Sequence, residues 1–264
     1  MFYDPVTKSL LSKYGGLSMV GYYEMANKLV QQCRSIIVSA NQVLVPAFAD
    51  LDERNPKKIR SVYLTSYNLL FYLASPLFAM IILCIPLISE IWIGHYERIF
   101  IIFGVLLSIG WFLNTLAAPA YFANLGTGDL RWNVIGHAII GILNAGLGLI
   151  LGFYFDGYGV AVAWIIAMSL GSAIIYFFYH HINGISFGEL FPINSRVMFL
   201  FYSFLCVISF IIQRRIDVGV GSITLNSLLS LIFLLLVFIP FYLHPNRIML
   251  FGWAREMLTK KNAI

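Results

Sequence analysis

Residues 62–89, VYLTSYNLLFYLASPLFAMIILCIPLIS, contain no Asp, Glu, Lys or Arg. About 20 consecutive apolar residues allow an α-helix to cross the ~30 Å hydrocarbon core of a bilayer. Because the backbone must satisfy its own hydrogen bonds in lipid, a helix is the expected structure for such a stretch. The stretch therefore predicts a membrane-spanning helix.

The rest of the chain has the same character. Its 264 residues are 60% hydrophobic, 16% aromatic and only 11% charged, whereas soluble domains carry about 25% charged residues. This composition excludes a water-soluble globular enzyme and a disordered chain. The three cysteines lie in apolar stretches, which favours a packing role over a disulfide or metal framework.

The predicted fold is therefore all-α, a polytopic bundle of about seven membrane-spanning helices. The predicted spans are 18–48, 62–89, 99–124, 132–155, 158–180, 196–212 and 223–243. Residues 1–14 lack the organisation of a signal peptide, and we interpret them as the end of a preceding helix.

Basic residues flank the apolar runs unevenly. One side of the predicted bundle carries Arg54, Lys57, Lys58, Arg60, Arg131, Arg196, Arg247, Arg255, Lys260 and Lys261; the other carries Lys8, Lys13, Arg98, Arg214 and Arg215. The positive-inside bias predicts that the 50–61 connection and the C-terminus are cytoplasmic. The net charge of +5 thus indicates membrane topology, and no nucleic-acid partner is expected.

The first span is unusually polar, as residues 21–48 within it show: GYYEMANKLVQQCRSIIVSANQVLVPAF. At about 100° per residue, one helical face collects Glu24, Asn27, Lys28, Gln31, Arg34, Ser35 and Gln42. A charge at mid-bilayer is costly, so this face must contact other helices or a water-filled cavity. We predict that Arg34, Lys28, Glu24, Asn27 and Gln31 line a substrate cavity.

The charges of this face favour an anionic ligand. Glu24 and Lys28 have the i, i+4 spacing of an ion pair, whereas Arg34 has no second acid on the helix. Two alternatives stay open: Glu24 neutralises Lys28 in a purely structural pair, and Arg34 extends toward a lipid headgroup.

A weaker polar stripe contains Asn133, His137 and Asn144. Glu24 and His137 are candidates for a coupling role in proton transfer, against the alternative of structural hydrogen bonds within the bundle. Asn114 is interpreted as a contact between helices. His180 and His181 are assigned to the membrane interface rather than to a metal.

No HExxH, CxxC, Walker A or GxSxG motif is present. We therefore predict a protein that is not an enzyme and that has no cofactor and no metal.

Short motifs follow one another along most of the chain. They are Val20–Ala26 (VGYYEMA), Val45-Pro46, Ala74-Ser75-Pro76, Ile91–Gly94 (IWIG), Asn114 with Leu116 and Pro119, Gly126 before Asp129 and Arg131, and Gly157–Ala163 (GYGVAVA). In these motifs, over about residues 4–182, the chain resembles the polysaccharide-unit flippases of the multidrug/oligosaccharidyl-lipid/polysaccharide exporter superfamily.

The resemblance implies flipping of a lipid-linked oligosaccharide on a polyprenyl pyrophosphate carrier across the bacterial inner membrane, for O-antigen, capsule or exopolysaccharide synthesis. It implies alternating access between two lobes around a cationic cavity. Residues 1–182 would be a partial C-terminal lobe, and 183–264 two additional helices with a cytoplasmic tail. The implied partners are membrane lipids, the missing N-terminal lobe, and polysaccharide polymerase and chain-length proteins.

Two alternatives remain. The first is another transporter of the same superfamily, namely a lipid II flippase or a cation-coupled multidrug extruder. The second is a membrane-embedded polymerase or ligase, which needs a sizeable external loop that the short predicted connections do not provide.

Overall fold

A computed structural model of the protein describes residues 3–215, 223–250 and 252. Within these ranges every regular element is a helix. Several basic residues of the predicted topology lie outside the described residues: Arg255, Lys260 and Lys261, together with the side chains of Arg214 and Arg215.

The chain order of the helices is simple. They are α1 (Tyr3–Gln42), α2 (Leu44–Arg54), α3 (Pro56–Ile93), α4 (Arg98–Leu116), α5 (Ala118–Thr127), α6 (Arg131–Ile182), α7 (Phe187–Leu190), α8 (Ile193–Arg215) and α9 (Ile223–Leu243).

Helix α1 consists of two antiparallel arms, 3–15 and 17–42. The chain reverses at Gly16, whose φ of 78° is readily adopted only by glycine. Lys8 on the short arm forms an ion pair with Glu24 on the long arm, although these residues would lie about 24 Å apart on a straight helix. The N-terminal residues described here are thus helical, as expected, and fold back on the polar helix.

Helix α6 folds back in the same way. Its backbone is not helical at Phe155 and Asp156, where Asp156 has a φ of 53°. The two arms pack so closely that a Cβ added at Gly136 would lie 2.7 Å from the carbonyl oxygen of Gly171. Glycines of this kind allow helix backbones to approach one another. The predicted segments 132–155 and 158–180 correspond to these two arms.

Two predicted spans are interrupted. The polar helix ends at Gln42 rather than 48, and a separate α2 continues the chain. The predicted span 99–124 is divided at Ala117 into α4 and α5. Pro119 at the start of α5 has no N–H to donate to the preceding turn, which explains the second break.

Five helical stretches of the described chain have the length and apolar composition to cross a membrane. They are Pro56–Ile93, Arg98–Thr127, Arg131–Ile182, Ile193–Gln213 and Thr224–Leu243. The prediction of an all-helical, multi-pass membrane protein is confirmed. The count of seven spans stays a prediction.

The bundle has two distinct ends. At one end the turn of α1 contacts the turn of α6, since the Cα of Gly157 would lie 3.1 Å from a Cβ built on Gly15. At the other end Arg60, at the start of α3, donates to the carbonyl oxygens of Asn183 and Gly184 after α6. The basic 50–61 connection and the 183–192 connection therefore share one end, as the alternation of spans requires.

A polar cavity around Arg34

Residues of helices α1, α4, α5 and α6 line an open cavity of about 590 Å³. Volumes in this range accommodate a small molecule or part of a larger one. Its wall includes Gln31, Arg34, Trp111, Asn114 and His137. Three of the predicted site or coupling residues, Arg34, Gln31 and His137, are therefore brought together here.

Arg34 is held by α4 through uncharged groups. Its Nε donates to Thr115 Oγ1 at 3.1 Å, and its Nη2 donates to Asn114 Oδ1 at 2.7 Å. The guanidinium also lies 4.6 Å from the ring centroid of Trp111, within cation–π range. Among the described residues no carboxylate is within ion-pair distance of Arg34. Its positive charge is thus not neutralised by an acid of the described chain.

The residues around Arg34 are themselves fixed by hydrogen bonds. Asn114 Nδ2 donates to Ser172 Oγ on α6 at 2.8 Å, and the Trp111 indole N–H donates to Asn27 Oδ1 on α1 at 2.9 Å. Gln31 also donates to Asn27, at 3.3 Å. Asn27 therefore supports the cavity wall without lining it. Asn114 joins α4 to α6, in agreement with its interpretation as a contact between helices, and also contacts Arg34.

The predicted pair between Glu24 and Lys28 is not formed. Glu24 is paired with Lys8 instead, and Lys8 also contacts Asp4 at 2.9 Å. The physical reason is the chain reversal at Gly16, which brings Lys8 beside Glu24. Lys28 is exposed and has no ion pair within the described part of the chain. Neither Glu24 nor Lys28 lines the cavity.

His137 contacts the aromatic side of the cavity. Its ring lies 5.6 Å from that of Tyr121 in an edge-to-face arrangement. The other members of its predicted stripe point elsewhere: Asn133 bonds to Asn124, and Asn144 bonds to Thr7 of the short arm of α1. The stripe thus contributes one residue to the cavity and two to helix packing.

Sequence reasoning did not identify Asp4, Trp111, Trp164 and Tyr121 as part of the cavity. Asp4 adds a carboxylate to the wall, and this carboxylate is paired with Lys8, which also pairs with Glu24. The spacing of Trp111 and Asn114, three residues apart on one helical face, was a usable signal. Arg34 is consequently the one unpaired charge on the described wall.

His180 is buried among side chains at the end of α6. Its Nε2 lies 2.5 Å from the Tyr63 hydroxyl, within a group of tyrosine rings. In residues 3–215, 223–250 and 252, no group of three His, Cys, Asp or Glu side chains has an arrangement that could hold a metal.

These features define a helical, multi-pass membrane protein with an open cavity whose wall carries a cation. Residues 1–96 match the family model described as polysaccharide biosynthesis protein. The matched range contains the polar helix and Arg34. The expected resemblance to this family is confirmed over that part of the chain.

The fold is similar to that of the lipid II flippase MurJ in an inward closed conformation. The TM-score is 0.65 at 15% sequence identity, and the match covers 92% of this chain and 51% of that chain. This chain thus spans about half the length of that flippase. The likeness is one of fold. No curated protein matches the sequence.

Proposed function

We propose that this chain is part of a flippase that moves a polyprenyl-pyrophosphate-linked oligosaccharide repeat unit across the bacterial inner membrane by alternating access. The product would be used for O-antigen, capsule or exopolysaccharide synthesis. The family match over residues 1–96 and the flippase-like fold support transport of a lipid-linked precursor.

The observation that carries the proposal is the unpaired charge of Arg34 in the cavity. A pyrophosphate that leaves water requires compensating cations and hydrogen-bond donors. An arginine provides both, because its planar guanidinium can donate two parallel hydrogen bonds to phosphate oxygens. Arg34 is anchored at its Nε and Nη2 atoms, so its remaining N–H groups are available to a ligand.

The other predicted site residues have secondary places in the proposal. Gln31 supplies an amide on the cavity wall, and Asn27 holds Trp111 and Gln31 in position. Lys28 is exposed on the same helix, outside the cavity wall.

For coupling, we propose two candidates. Glu24 belongs to a cluster with Asp4 and Lys8 that has two acids and one base, and His137 lies on the cavity wall. A protonation change at either site would alter the charge of the bundle near the transport path.

In this proposal residues 1–182 belong to the C-terminal lobe of the transporter. Residues 183–264 would add two helices and a cytoplasmic tail. The partner needed to close the cavity is an N-terminal lobe, and polysaccharide polymerase and chain-length proteins would act on the product. We expect the isolated 264-residue chain to insert without transporting. Complementation of a flippase-null strain by this chain alone would contradict that expectation.

A second function, transport of lipid II, is favoured by the fold likeness to MurJ. The two functions predict accumulation of different precursors when the protein is depleted. Lipid-linked repeat units would accumulate in the first case and lipid II in the second. A cation-coupled multidrug extruder would cause neither precursor to accumulate.

The proposal is tested by Arg34→Gln in a complete protein that contains this chain. We expect loss of surface polysaccharide at a normal protein level. Lys13→Gln is the matched control, because it removes one positive charge from an exposed position on the short arm of α1. Normal export by Arg34→Gln would exclude Arg34 from the substrate path.

A further inference from the structure

Arg34 is held in place entirely by neutral groups. Two of its five N–H groups are used, one by the Thr115 hydroxyl and one by the Asn114 carbonyl oxygen. Three N–H groups therefore have no acceptor within the described part of the chain. The face of Trp111 contacts the guanidinium at 4.6 Å without adding an acceptor of comparable strength.

Asn114 is fixed so that its carbonyl oxygen points to Arg34. An asparagine amide has one acceptor side and one donor side. The donor side of Asn114 is bound to Ser172 Oγ at 2.8 Å, and Ser172 is fully buried. The acceptor side is thereby left for the guanidinium. The contact crosses from α1 to α4, and the Ser172 contact extends it to α6.

An asparagine here has a different effect from an aspartate. A largely buried arginine is usually paired with a carboxylate, which compensates its charge. The acid on the cavity wall, Asp4, is engaged by Lys8 at 2.9 Å. The amide of Asn114 thus orients the guanidinium as a carboxylate would, while leaving its full positive charge for a ligand.

We propose that Asn114 is a positioning residue that determines the specificity of the cavity for anions, by holding Arg34 through a neutral acceptor. This inference rests on the proposed function only in taking Arg34 as the anion-binding group. The inference requires that the side chain at position 114 is uncharged. Packing between helices alone does not impose this requirement.

The test is Asn114→Asp. The variant keeps the size of the side chain and the oxygen that accepts from Arg34, and the Ser172 hydroxyl can donate to the second oxygen. The probe is inorganic pyrophosphate, titrated at pH 7 into the purified 264-residue chain in detergent and followed by calorimetry. We expect binding at least tenfold weaker than that of the unaltered chain, with no loss of thermal stability.

Gln42→Glu is the matched control. Gln42 lines the same cavity and lies eight residues after Arg34 on the same helix, about 12 Å along its axis. The Gln42→Glu substitution adds the same negative charge as Asn114→Asp without contacting the guanidinium. We therefore expect it to lower the affinity for pyrophosphate by about threefold or less. Equal losses for the two variants would mean that only the total charge of the cavity matters and would overturn the role of Asn114.

A double-mutant cycle separates positioning from structure. In an Arg34→Gln chain, where no guanidinium remains to be neutralised, Asn114→Asp should weaken pyrophosphate binding no more than the added charge of Gln42→Glu does, about threefold. An equal loss in both chains would show that position 114 acts through structure alone and would refute the inference. If Asn114→Asp does not fold, the same cycle is carried out with Ser172→Ala, which removes the hydrogen-bond partner of the Asn114 amide. Ser172→Ala should then weaken pyrophosphate binding only when Arg34 is present.

The two proposals fail in different ways. Unchanged binding in Arg34→Gln, or no pyrophosphate binding by the unaltered chain, contradicts the anion site itself. Unchanged binding in Asn114→Asp, together with loss of binding in Arg34→Gln, contradicts the role of Asn114 alone.

Discussion

The amide of Asn144 donates to the hydroxyl of Thr7 at 2.8 Å, joining residues that are 137 positions apart in the sequence. The same amide also donates to the carbonyl oxygen of Tyr3. Both Asn144 and Thr7 are fully buried. These contacts attach the short arm of α1 to α6 and thereby hold Tyr3 and Asp4 on the cavity wall.

Thr7→Val should destabilise the chain. The valine has nearly the same shape but cannot accept from Asn144, so a buried amide loses one of its two partners. The expected loss is about 1 kcal/mol, measured by denaturant unfolding of the purified chain in detergent. Ser39→Ala, at an exposed position of α1, is the control. Equal stabilities of Thr7→Val and the unaltered chain would show that the contact contributes nothing.

Replacement of Lys8 and Lys28 by Met should have different effects. Lys8 is shared by Asp4 and Glu24, and its loss leaves two carboxylates close together. Because these side chains are about one-third exposed, the destabilisation should be about 1 kcal/mol or less and should shrink in high salt. Lys28→Met should leave stability unchanged. A larger effect at Lys28 than at Lys8 would restore the Glu24–Lys28 pair suggested by their spacing.

Arg60, near the start of α3, contacts Glu189 of α7. Helix α7 lies outside the candidate membrane-spanning helices. The Arg60 guanidinium donates to both carboxylate oxygens, at 2.8 and 3.0 Å. Together with hydrogen bonds from the Ser186 backbone N–H and hydroxyl, it lowers the pKa of Glu189 to about 2.

A lowered carboxyl pKa stabilises the fold above the ordinary value of about 4.3, and this contribution is lost as the pH falls through about 2. The contact should therefore be unaffected between pH 8 and pH 5. Arg60→Gln should raise the pKa of Glu189 toward its ordinary value, observed in the carbon-13 shift of the carboxyl group. An unchanged pKa in Arg60→Gln would assign the shift to Ser186 alone.

Gly136→Leu should disrupt the packing between the two arms of α6. A Cβ at Gly136 would lie 2.5 Å from Ile175 as well as close to the Gly171 carbonyl oxygen, so the arms must separate. We expect destabilisation of about 1–3 kcal/mol. Gly141→Leu on the same arm is the matched control, because nothing lies within 4 Å of a Cβ built there. Comparable losses of stability at both positions would show that leucine destabilises the helix itself and not the contact between its arms.

The helical membrane class could be predicted from sequence because it depends on local runs of apolar residues. The polar face of α1 was also visible, since charged side chains at helical spacing stand out in an apolar chain. Arg34 was singled out on this basis, and the structure places it on a cavity wall.

The rest depends on contacts between distant segments. Nothing local reveals that the chain reverses at Gly16, so Glu24 appeared to pair with its neighbour Lys28 rather than with Lys8. Helix α4 is apolar on nearly all sides, and its composition does not indicate which face contacts α1. The spacing of Trp111 and Asn114 places them on one helical face, but the contact of that face with Arg34 required the three-dimensional arrangement.

The central claim is that the charge of Arg34 receives an anionic headgroup during transport. Its most direct test is the initial rate at which a fluorescent polyprenyl-pyrophosphate-linked sugar crosses vesicles reconstituted with the complete protein. At equal incorporation, Arg34→Gln should reduce this rate at least tenfold, equivalent to about 1.4 kcal/mol, while Lys13→Gln should leave it unchanged. An Arg34→Gln rate equal to that of the unaltered protein would contradict the claim.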